Sequence, residues 1–409
     1  ERERWPFAAV GVATAEERLV GGYGMFSNPL PQAGEGAHPI DLPMDVLFGK
    51  PPKMHRDTAH PPAPKWPALR TEALDPGSSP GQALHEAGLR VLAHPTVASK
   101  MFLVTIGDRS VGGLTARDQL VGPWQMPVAD CAITLSGFDT LAGEAMAMGE
   151  RTPLALLDSA AAARMAVGEA ITNLCAAPVE ALDRIKLSAN WMAAASHPGE
   201  DALLFDAVRA VGMELCPQLD LSIPVGKDSL SMQAQWQADG AAQKSVSPVS
   251  LIVTAFAPVA DVSGQLTPLL AREDDSELWL IGLGGGKRRL GGSVLAQVFP
   301  DAGGDGLPAF AGDDAGDVPD LDDPQRLRDF FELIRAAREA GVLRAYHDRS
   351  DGGAFAALCE MAFASHCGLD IDLDAWGDGD GDDVFRVLFN EELGAVVQVA
   401  SEDRAAIAD

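Results

Sequence analysis

Cysteine is scarce in this chain and shows no pairing pattern. The 409 residues include five cysteines, an odd number, and no two of them form a Cys-x-x-Cys pair. A disulfide framework or a structural zinc site would need paired or closely spaced cysteines, so neither is expected. We expect reduced thiols in a cytosolic protein. The cysteines are Cys131, Cys175, Cys216, Cys359 and Cys367.

Long apolar runs, basic charge and aromatic residues are also in short supply. No run of about 18 apolar residues exists, so no membrane span is expected. The 31 Lys and Arg residues face 59 Asp and Glu, and the formal net charge of −28 argues against a nucleic-acid partner. The chain begins with Glu and shows no signal peptide, so we expect an excerpt from a longer cytoplasmic protein. Few aromatics beside 42 Gly and 28 Pro are typical of an α/β or α+β enzyme.

Periodicity and turn residues predict an α+β protein. Helices and strands alternate, but without the regular βαβ spacing of a Rossmann sheet. Pro324 and Gly341 mark the two ends of one long helix. The predicted helices cover residues 83–92, 153–176, 202–216, 323–340 and 353–363. The predicted strands cover residues 101–106, with 111–114 as a hairpin partner, and residues 131–135, 183–188, 249–257, 278–282 and 394–399.

Two glycine-containing segments invite a phosphate-binding interpretation. Residues 282–287 follow a strand and precede a helix, where free N–H groups can hold phosphate, but the Walker spacing is missing. A tight turn is therefore favoured over a phosphate contact. Residues 224–229 resemble half a P-loop, but Leu221 replaces the upstream glycine and Asp228 follows the lysine. We reject a P-loop there.

Polar residues in apolar surroundings are the other candidates for chemistry. Glu169 and Asn173 share one face of an apolar helix, where a buried carboxylate would need a partner or a metal. Magnesium accepts such carboxylate and amide oxygens together with phosphate oxygens and water. Spacing alone nevertheless favours a solvent-facing Glu169, and likewise a solvent-facing Asp130 at the entrance of its strand. The dense polar turn at residues 347–353 is favoured as functional because loops carry function.

These segments resemble phosphoribosylformylglycinamidine synthase, a purine-pathway ligase family, in its large single-chain form. The most distinctive strings are Lys-Leu-Ser-Ala-Asn-Trp-Met at 186–192 and His-Asp-Arg-Ser-Asp-Gly-Gly at 347–353. The similarity extends over nearly the whole chain. The other matching stretches are residues 116–131, 143–151, 166–173, 223–231 and 389–394.

The resemblance implies the fold of aminoimidazole ribonucleotide synthetase, with a barrel-forming domain and an α/β domain. In this family two fused copies form the synthetase core. Residues 1–55 then end the α/β domain of the first copy, and residues 56–89 form a linker. Residues 90–265 form the barrel-forming N-terminal domain of the second copy. Residues 270–409 form its C-terminal α/β domain, cut short.

The same resemblance implies ATP-dependent conversion of formylglycinamide ribonucleotide to formylglycinamidine ribonucleotide, with glutamine as nitrogen donor. The implied cofactors are Mg²⁺ and ATP, or tightly bound ADP. Ammonia comes from a glutaminase whose Cys-His-Glu set lies outside this chain. That glutaminase and the first synthetase copy are expected in the same monomeric parent chain, so the excerpt alone is expected to be inactive. No nucleic acid or membrane partner is implied.

Residue by residue, the resemblance places magnesium ligands at Asp130, Glu169, Asn173 and Asp348. It places nucleotide contacts at Ala129 and Ser350, and a lysine facing the nucleotide phosphates at Lys100. This set is implied to belong to a supporting nucleotide site rather than to the catalytic one. Two alternatives stay open. One is another ATP-using enzyme of the same fold, such as a small-molecule kinase or dikinase, and the other is a non-catalytic module that binds nucleotide or cations.

Overall fold

The chain divides into two units, Glu1–Asp57 and Thr58–Asp409. The computed structural model describes residues 11–21, 40–49, 55–62, 69, 74, 79–107, 109–272, 275–299, 317–376 and 384–405. In these ranges no helix is both long and apolar enough to cross a membrane. All five cysteines lie in the described part and are free thiols, as predicted.

The first unit contains a short antiparallel hairpin and one helical turn. Strand β1 (Arg18–Gly21) pairs with β2 (Ile40–Pro43), and helix α1 (Met44–Phe48) follows directly. An exposed ion pair joins Arg18 Nη2 to Asp41 Oδ1 at 2.6 Å across the hairpin. Most of the segment predicted to end a first-copy domain lies outside the described residues.

The second unit contains eleven of the strands and nine of the α-helices in the described ranges. Its strands are β3 (Thr115–Arg117), β4 (Ala132–Leu135), β5 (Gly143–Glu150), β6 (Lys186–Met192), β7 (Ser222–Ser229), β8 (Gln233–Ala238), β9 (Ala241–Val246), β10 (Ser250–Val259), β11 (Ser276–Gly282), β12 (Leu343–Asp348) and β13 (Gly394–Ala400). Its helices are α2 (Pro80–Ala93), α3 (Met101–Ile106), α4 (Ser159–Leu174), α5 (Glu200–Arg209), α6 (Cys216–Leu219), α7 (Val294–Val298), α8 (Pro324–Glu339), α9 (Gly353–Ser365) and α10 (Val384–Phe389).

A six-stranded mixed sheet forms the N-terminal part of this unit. The strand order is β3-β4-β5-β10-β6-β7, and every neighbouring pair is antiparallel except β6–β7. Strand β10 buries alternate residues, because one face of a half-buried strand meets the core. Residues 224–229 lie inside β7, so the rejection of a P-loop is confirmed.

Helix α4 is buried along nearly its whole length. Its first turn is capped by Asp158, which accepts a hydrogen bond from the backbone N–H of Ala161 at 2.9 Å. Small residues let the helix approach closely on two sides. A Cβ on Gly149 of β5 would lie 2.2 Å from the Ala166 carbonyl oxygen, and one on Gly168 would lie 2.2 Å from Leu393. Because of this double contact, any charged residue on the helix must find a partner inside the protein.

A three-stranded antiparallel sheet in the order β11-β13-β12 forms the C-terminal part. Its central strand β13 is buried at every residue. Helix α8 begins at Pro324 after the cap Asp323 and is followed by Gly341 at φ +71°, as its end signals predicted. One continuous apolar core joins the two sheets through α4, and it includes Ile133, Met165, Phe331 and Val397.

The predicted strand at 101–106 is wrong, since these residues form helix α3. The expected partner strand at 111–114 is wrong as well, because residues 111–113 form a 3-10 turn with Gly112 at φ +76° and Gly113 at φ +71°. A short apolar run fits either element by periodicity, and only a pairing partner would have kept it extended. The prediction for 153–176 was right in type, but its first turn, Thr152–Leu156, is a 3-10 helix.

The predicted linker at 56–89 ends in a packed helix. Ser79 and Gln82 form a capping box at the start of α2. The helix packs against α9, where a Cβ on Gly88 would lie 2.7 Å from the ring of Phe355. The last ten residues of the segment therefore belong to the fold.

Candidate functional site

Two aspartates meet where β4 begins and β12 ends. Asp130 Oδ1 accepts a hydrogen bond from the backbone N–H of Asp348 at 3.0 Å. The Asp130 side chain is 0% exposed and Asp348 is buried. The solvent-facing Asp130 that spacing alone favoured is therefore wrong, because the C-terminal sheet covers the start of β4.

Each of these two carboxylates keeps one oxygen without a hydrogen-bond partner among the described residues. They are Asp130 Oδ2 and Asp348 Oδ2, and both are buried. An unpaired buried carboxylate oxygen is unfavourable unless a cation or proton compensates it. Burial, and then the charge of Asp130, raise the pKa of Asp348 well above its usual value. Asp130, His347 and Asp348 each offer one ligand atom, and the three atoms lie within 4.8 Å of one another.

His347 connects this pair to helix α9. Its Nδ1 lies 2.7 Å from Asp130 Oδ1, and its Nε2 lies 2.7 Å from Glu360 Oε2. Burial would lower the pKa of His347, but the Asp130 and Glu360 carboxylates raise it well above its usual value. Because both ring nitrogens are engaged, the carboxylates are left as the groups that can hold a cation.

Glu169 points into the protein from α4 and is only 8% exposed. The solvent-facing alternative is therefore wrong. Its Oε2 accepts a hydrogen bond from the backbone N–H of Glu150 at 2.7 Å. Burial is the main cause that raises the pKa of Glu169 well above its usual value; Arg151 opposes the rise, and Asp351 and Asp348 add to it. Glu169 thus lies within electrostatic reach of Asp348.

Three of the remaining four predicted residues make their hydrogen bonds outside this group. The Asn173 amide donates to the Met148 carbonyl oxygen at 3.2 Å rather than to the carboxylates. The backbone N–H of Ala129 donates to the Gln119 carbonyl oxygen at 3.3 Å, and the Ser350 carbonyl oxygen accepts from the Gly353 N–H at 2.9 Å. Ala129 directly precedes Asp130 in sequence, and Ser350 lies two positions after Asp348.

Lys100 ends the segment between α2 and α3. Its Nζ donates to the Thr96 carbonyl oxygen at 3.0 Å and to the Ala98 carbonyl oxygen. Burial lowers the pKa of Lys100, while the charges of Glu360 and Asp351 raise it. The Lys100 ammonium group therefore lies within electrostatic reach of Glu360 and Asp351.

An arginine clamp holds the turn after β12. Arg151 Nη1 donates to Asp351 Oδ1 at 2.9 Å, and its Nη2 donates to Glu391 Oε2 at 2.6 Å. The other oxygen of Glu391 accepts from the backbone N–H groups of Gly352 and Val294, each at 2.8 Å. The turn that carries Asp348 is thus fixed from both sides.

Sequence reasoning did not assign roles to Glu360, Arg151 and Glu391. One signal was available for Glu360, since it is the only charged residue on the otherwise apolar α9. Glu169 gave a weaker signal of this kind on α4, because Arg164 on the same helix is also charged. Arg151 and Glu391 are 240 positions apart, and no local pattern connects them.

Two family models match the chain. The FGAR-AT PurM_N-like domain matches residues 99–258, and the C-terminal domain of AIR synthase related proteins matches residues 276–409. The two matched domains together describe an AIR synthase-like fold. The aspartate pair lies between these two matched domains, with Asp130 from the first and Asp348 from the second. The predicted α+β, AIR synthase-like fold is confirmed.

One solved structure supports this fold, and two others are similar at lower TM-scores. T. maritima PurL complexed with FGAR superposes with a TM-score of 0.55 at 12% sequence identity, over 79% of this chain and 46% of that one. T. maritima PurL complexed with ATP gives 0.49 at 12% identity, over 79% and 45%. Thiamine-monophosphate kinase from Stenotrophomonas maltophilia K279a gives 0.38 at 18% identity, over 72% and 84%. The chain therefore spans about half the length of the PurL proteins it matches.

Proposed function

We propose that this chain binds a magnesium–nucleotide at the aspartate pair. The observation that carries the proposal is the presence of two buried carboxylate oxygens, Asp130 Oδ2 and Asp348 Oδ2, without a partner among the described residues. A hard divalent cation prefers such oxygen ligands. The proposed metal ligands are Asp130, Glu169, Asn173 and Asp348, and the proposed nucleotide contacts are Lys100, Ala129 and Ser350.

The nucleotide is proposed to be ATP or tightly bound ADP. Bound Mg²⁺ would neutralise phosphate charge that the acidic cluster otherwise repels. Asp130 and Asp348 come from opposite domains, so a cation between them would join the domains. A ligand that binds only the folded state adds about 2.7 kcal/mol of stability at 100 times its Kd. We propose this supporting role for the site.

The parent protein is proposed to be a phosphoribosylformylglycinamidine synthase. It would use ATP to activate the amide oxygen of formylglycinamide ribonucleotide as a phosphate ester, which glutamine-derived ammonia then displaces. The glutaminase and the first synthetase copy are proposed to lie elsewhere in the same cytoplasmic, monomeric parent. The matched FGAR-AT PurM_N-like domain supports this assignment.

Asp348→Asn and Asp130→Asn test the proposed site. Each substitution is expected to weaken Mg²⁺-dependent ADP binding by about 10- to 100-fold, because hydrogen-bonded charge and metal contacts of this kind contribute about 1.5–3 kcal/mol. Isothermal calorimetry with ADP, with and without Mg²⁺, measures the loss. Without ligand, Asp348→Asn is expected to melt no lower than the wild type, because it removes one of two neighbouring buried charges.

Asp220→Asn serves as the matched control. Its side chain is 72% exposed beside Arg328, so ADP affinity should not change. Wild-type ADP affinity in both site variants would contradict the proposed function.

A further inference from the structure

The orientation of Asp130 is set entirely through one of its two oxygens. Oδ1 faces His347 Nδ1 at 2.7 Å and accepts from the Asp348 N–H at 3.0 Å, while Oδ2 has no partner in the described part of the chain. Two contacts on one oxygen fix the plane of a carboxylate. The second oxygen is consequently held at a defined, buried place without a hydrogen-bond partner among the described residues.

His347 can orient Asp130 only if its own ring is fixed. Strand pairing with Val396 fixes its backbone, and the ring is 6% exposed. The remaining freedom is rotation of the ring, and the 2.7 Å contact between Nε2 and Glu360 Oε2 removes it. Glu360 thereby acts on Asp130 indirectly, through the imidazole of His347.

Stability does not account well for this chain of polar groups. Replacing a buried ion pair by apolar residues is often neutral or stabilising, so such pairs are weak evidence for a stabilising role. Glu360 is also the single charge on α9, whose other residues are apolar, small or Ser. This mostly buried apolar helix keeps one carboxylate, 26% exposed, and this carboxylate contacts the histidine beside the proposed metal ligand.

We propose that His347 and Glu360 are positioning residues that hold Asp130 Oδ2 in place for the divalent cation. The inference rests on the proposed function, because it assumes that Asp130 binds the cation. Partners that orient a metal ligand typically change metal affinity by about 10- to 100-fold when they are removed. The same order of effect is expected here.

The test is Mn²⁺ binding to the full 409-residue chain in the presence of ADP. The concentration of free Mn²⁺ is measured by electron paramagnetic resonance. Mn²⁺ is a suitable probe because it takes the same oxygen ligands as Mg²⁺. Glu360→Met removes the acceptor and is expected to weaken Mn²⁺ binding by about 10- to 100-fold. Glu360→Gln keeps an acceptor oxygen for Nε2 and is expected to stay within about threefold of wild type, since the ring remains oriented. Glu339→Met is the control, because the Glu339 side chain is 58% exposed on α8.

A second pair of variants keeps the test decisive if Glu360→Met does not fold. His347→Asn retains a donor near the Nδ1 position, whereas His347→Leu does not. The asparagine variant is expected to bind Mn²⁺ at least about fivefold more tightly than the leucine variant. The positioning role is overturned if Glu360→Met binds Mn²⁺ as tightly as Glu360→Gln and His347→Leu binds it as tightly as His347→Asn. That result would leave the metal site itself intact. If the wild type and Asp348→Asn bind Mn²⁺ equally weakly, the proposed function itself fails and the inference falls with it.

Discussion

Arg151→Met is expected to lower the free energy of unfolding by about 3–5 kcal/mol, because it leaves a buried carboxylate without its counter-charge. The side chains of Arg151 and Glu391 are only 5% and 1% exposed, and their atoms lie 2.6 Å apart. Burial opposes the charge on the guanidinium, but Glu391 and Asp351 raise the pKa of Arg151, so it stays cationic. Urea unfolding followed by circular dichroism in EDTA measures the loss without a contribution from bound metal.

Arg335→Met is the matched control for this prediction. Arg335 pairs with Glu332 and Glu339 on α8, where both carboxylates are about half exposed. Exposed pairs of this kind contribute about 0–1 kcal/mol. Equal losses in the two variants would show that the burial of the Arg151 clamp has no energetic consequence.

A double variant separates the lost ion pair from the lost packing. In Arg151→Met combined with Glu391→Gln, the amide oxygen can still accept from the N–H groups of Gly352 and Val294. The unpaired buried charge is gone, so the double variant is expected to be more stable than Arg151→Met alone. A double variant less stable than Arg151→Met would contradict this explanation.

The elements that local signals specify were predicted well from sequence. Helix α8 carries its own start and stop residues, Asp323, Pro324 and Gly341, and it forms where they indicate. Strand β13 is apolar except for Gln398 and lies at the centre of its sheet. Residues 101–106 lacked such signals. A short apolar run fits a helix or a strand equally well, and its conformation depends on whether a neighbouring strand exists.

The site could be predicted from sequence only in part. Glu169 and Asn173 share a helix face, yet only Glu169 is buried, and residues far away in the chain, such as Leu393 packing against Gly168, cover its helix. Asp130 and Asp348 are 218 positions apart, and only the folded chain joins them. The resemblance named these residues, but it did not give the contacts of His347 with Asp130 and Glu360.

Gly149→Ala is expected to destabilise the chain by about 3 kcal/mol, at the upper end of what overpacking a core usually costs. Gly149 lies in β5 opposite Val253, directly beneath helix α4. A Cβ there would lie 2.2 Å from the Ala166 carbonyl oxygen and 2.4 Å from the Ala170 backbone nitrogen. Both are backbone atoms of the helix, so no side-chain rotation can relieve the overlap and α4 must move away from the sheet.

Gly212→Ala is the matched control, because the residue is helical and the added Cβ meets no described atom within 4 Å beyond its own stretch of helix. This substitution is expected to stabilise by about 0.5–1 kcal/mol through helix propensity. Movement of α4 should also disturb the site. Glu150, the residue after Gly149, donates its backbone N–H to Glu169 Oε2 at 2.7 Å. Mg²⁺-dependent ADP affinity should therefore fall together with stability in Gly149→Ala. Lower stability with unchanged affinity would show that Glu169 keeps its place when α4 moves, or that it does not bind the cation.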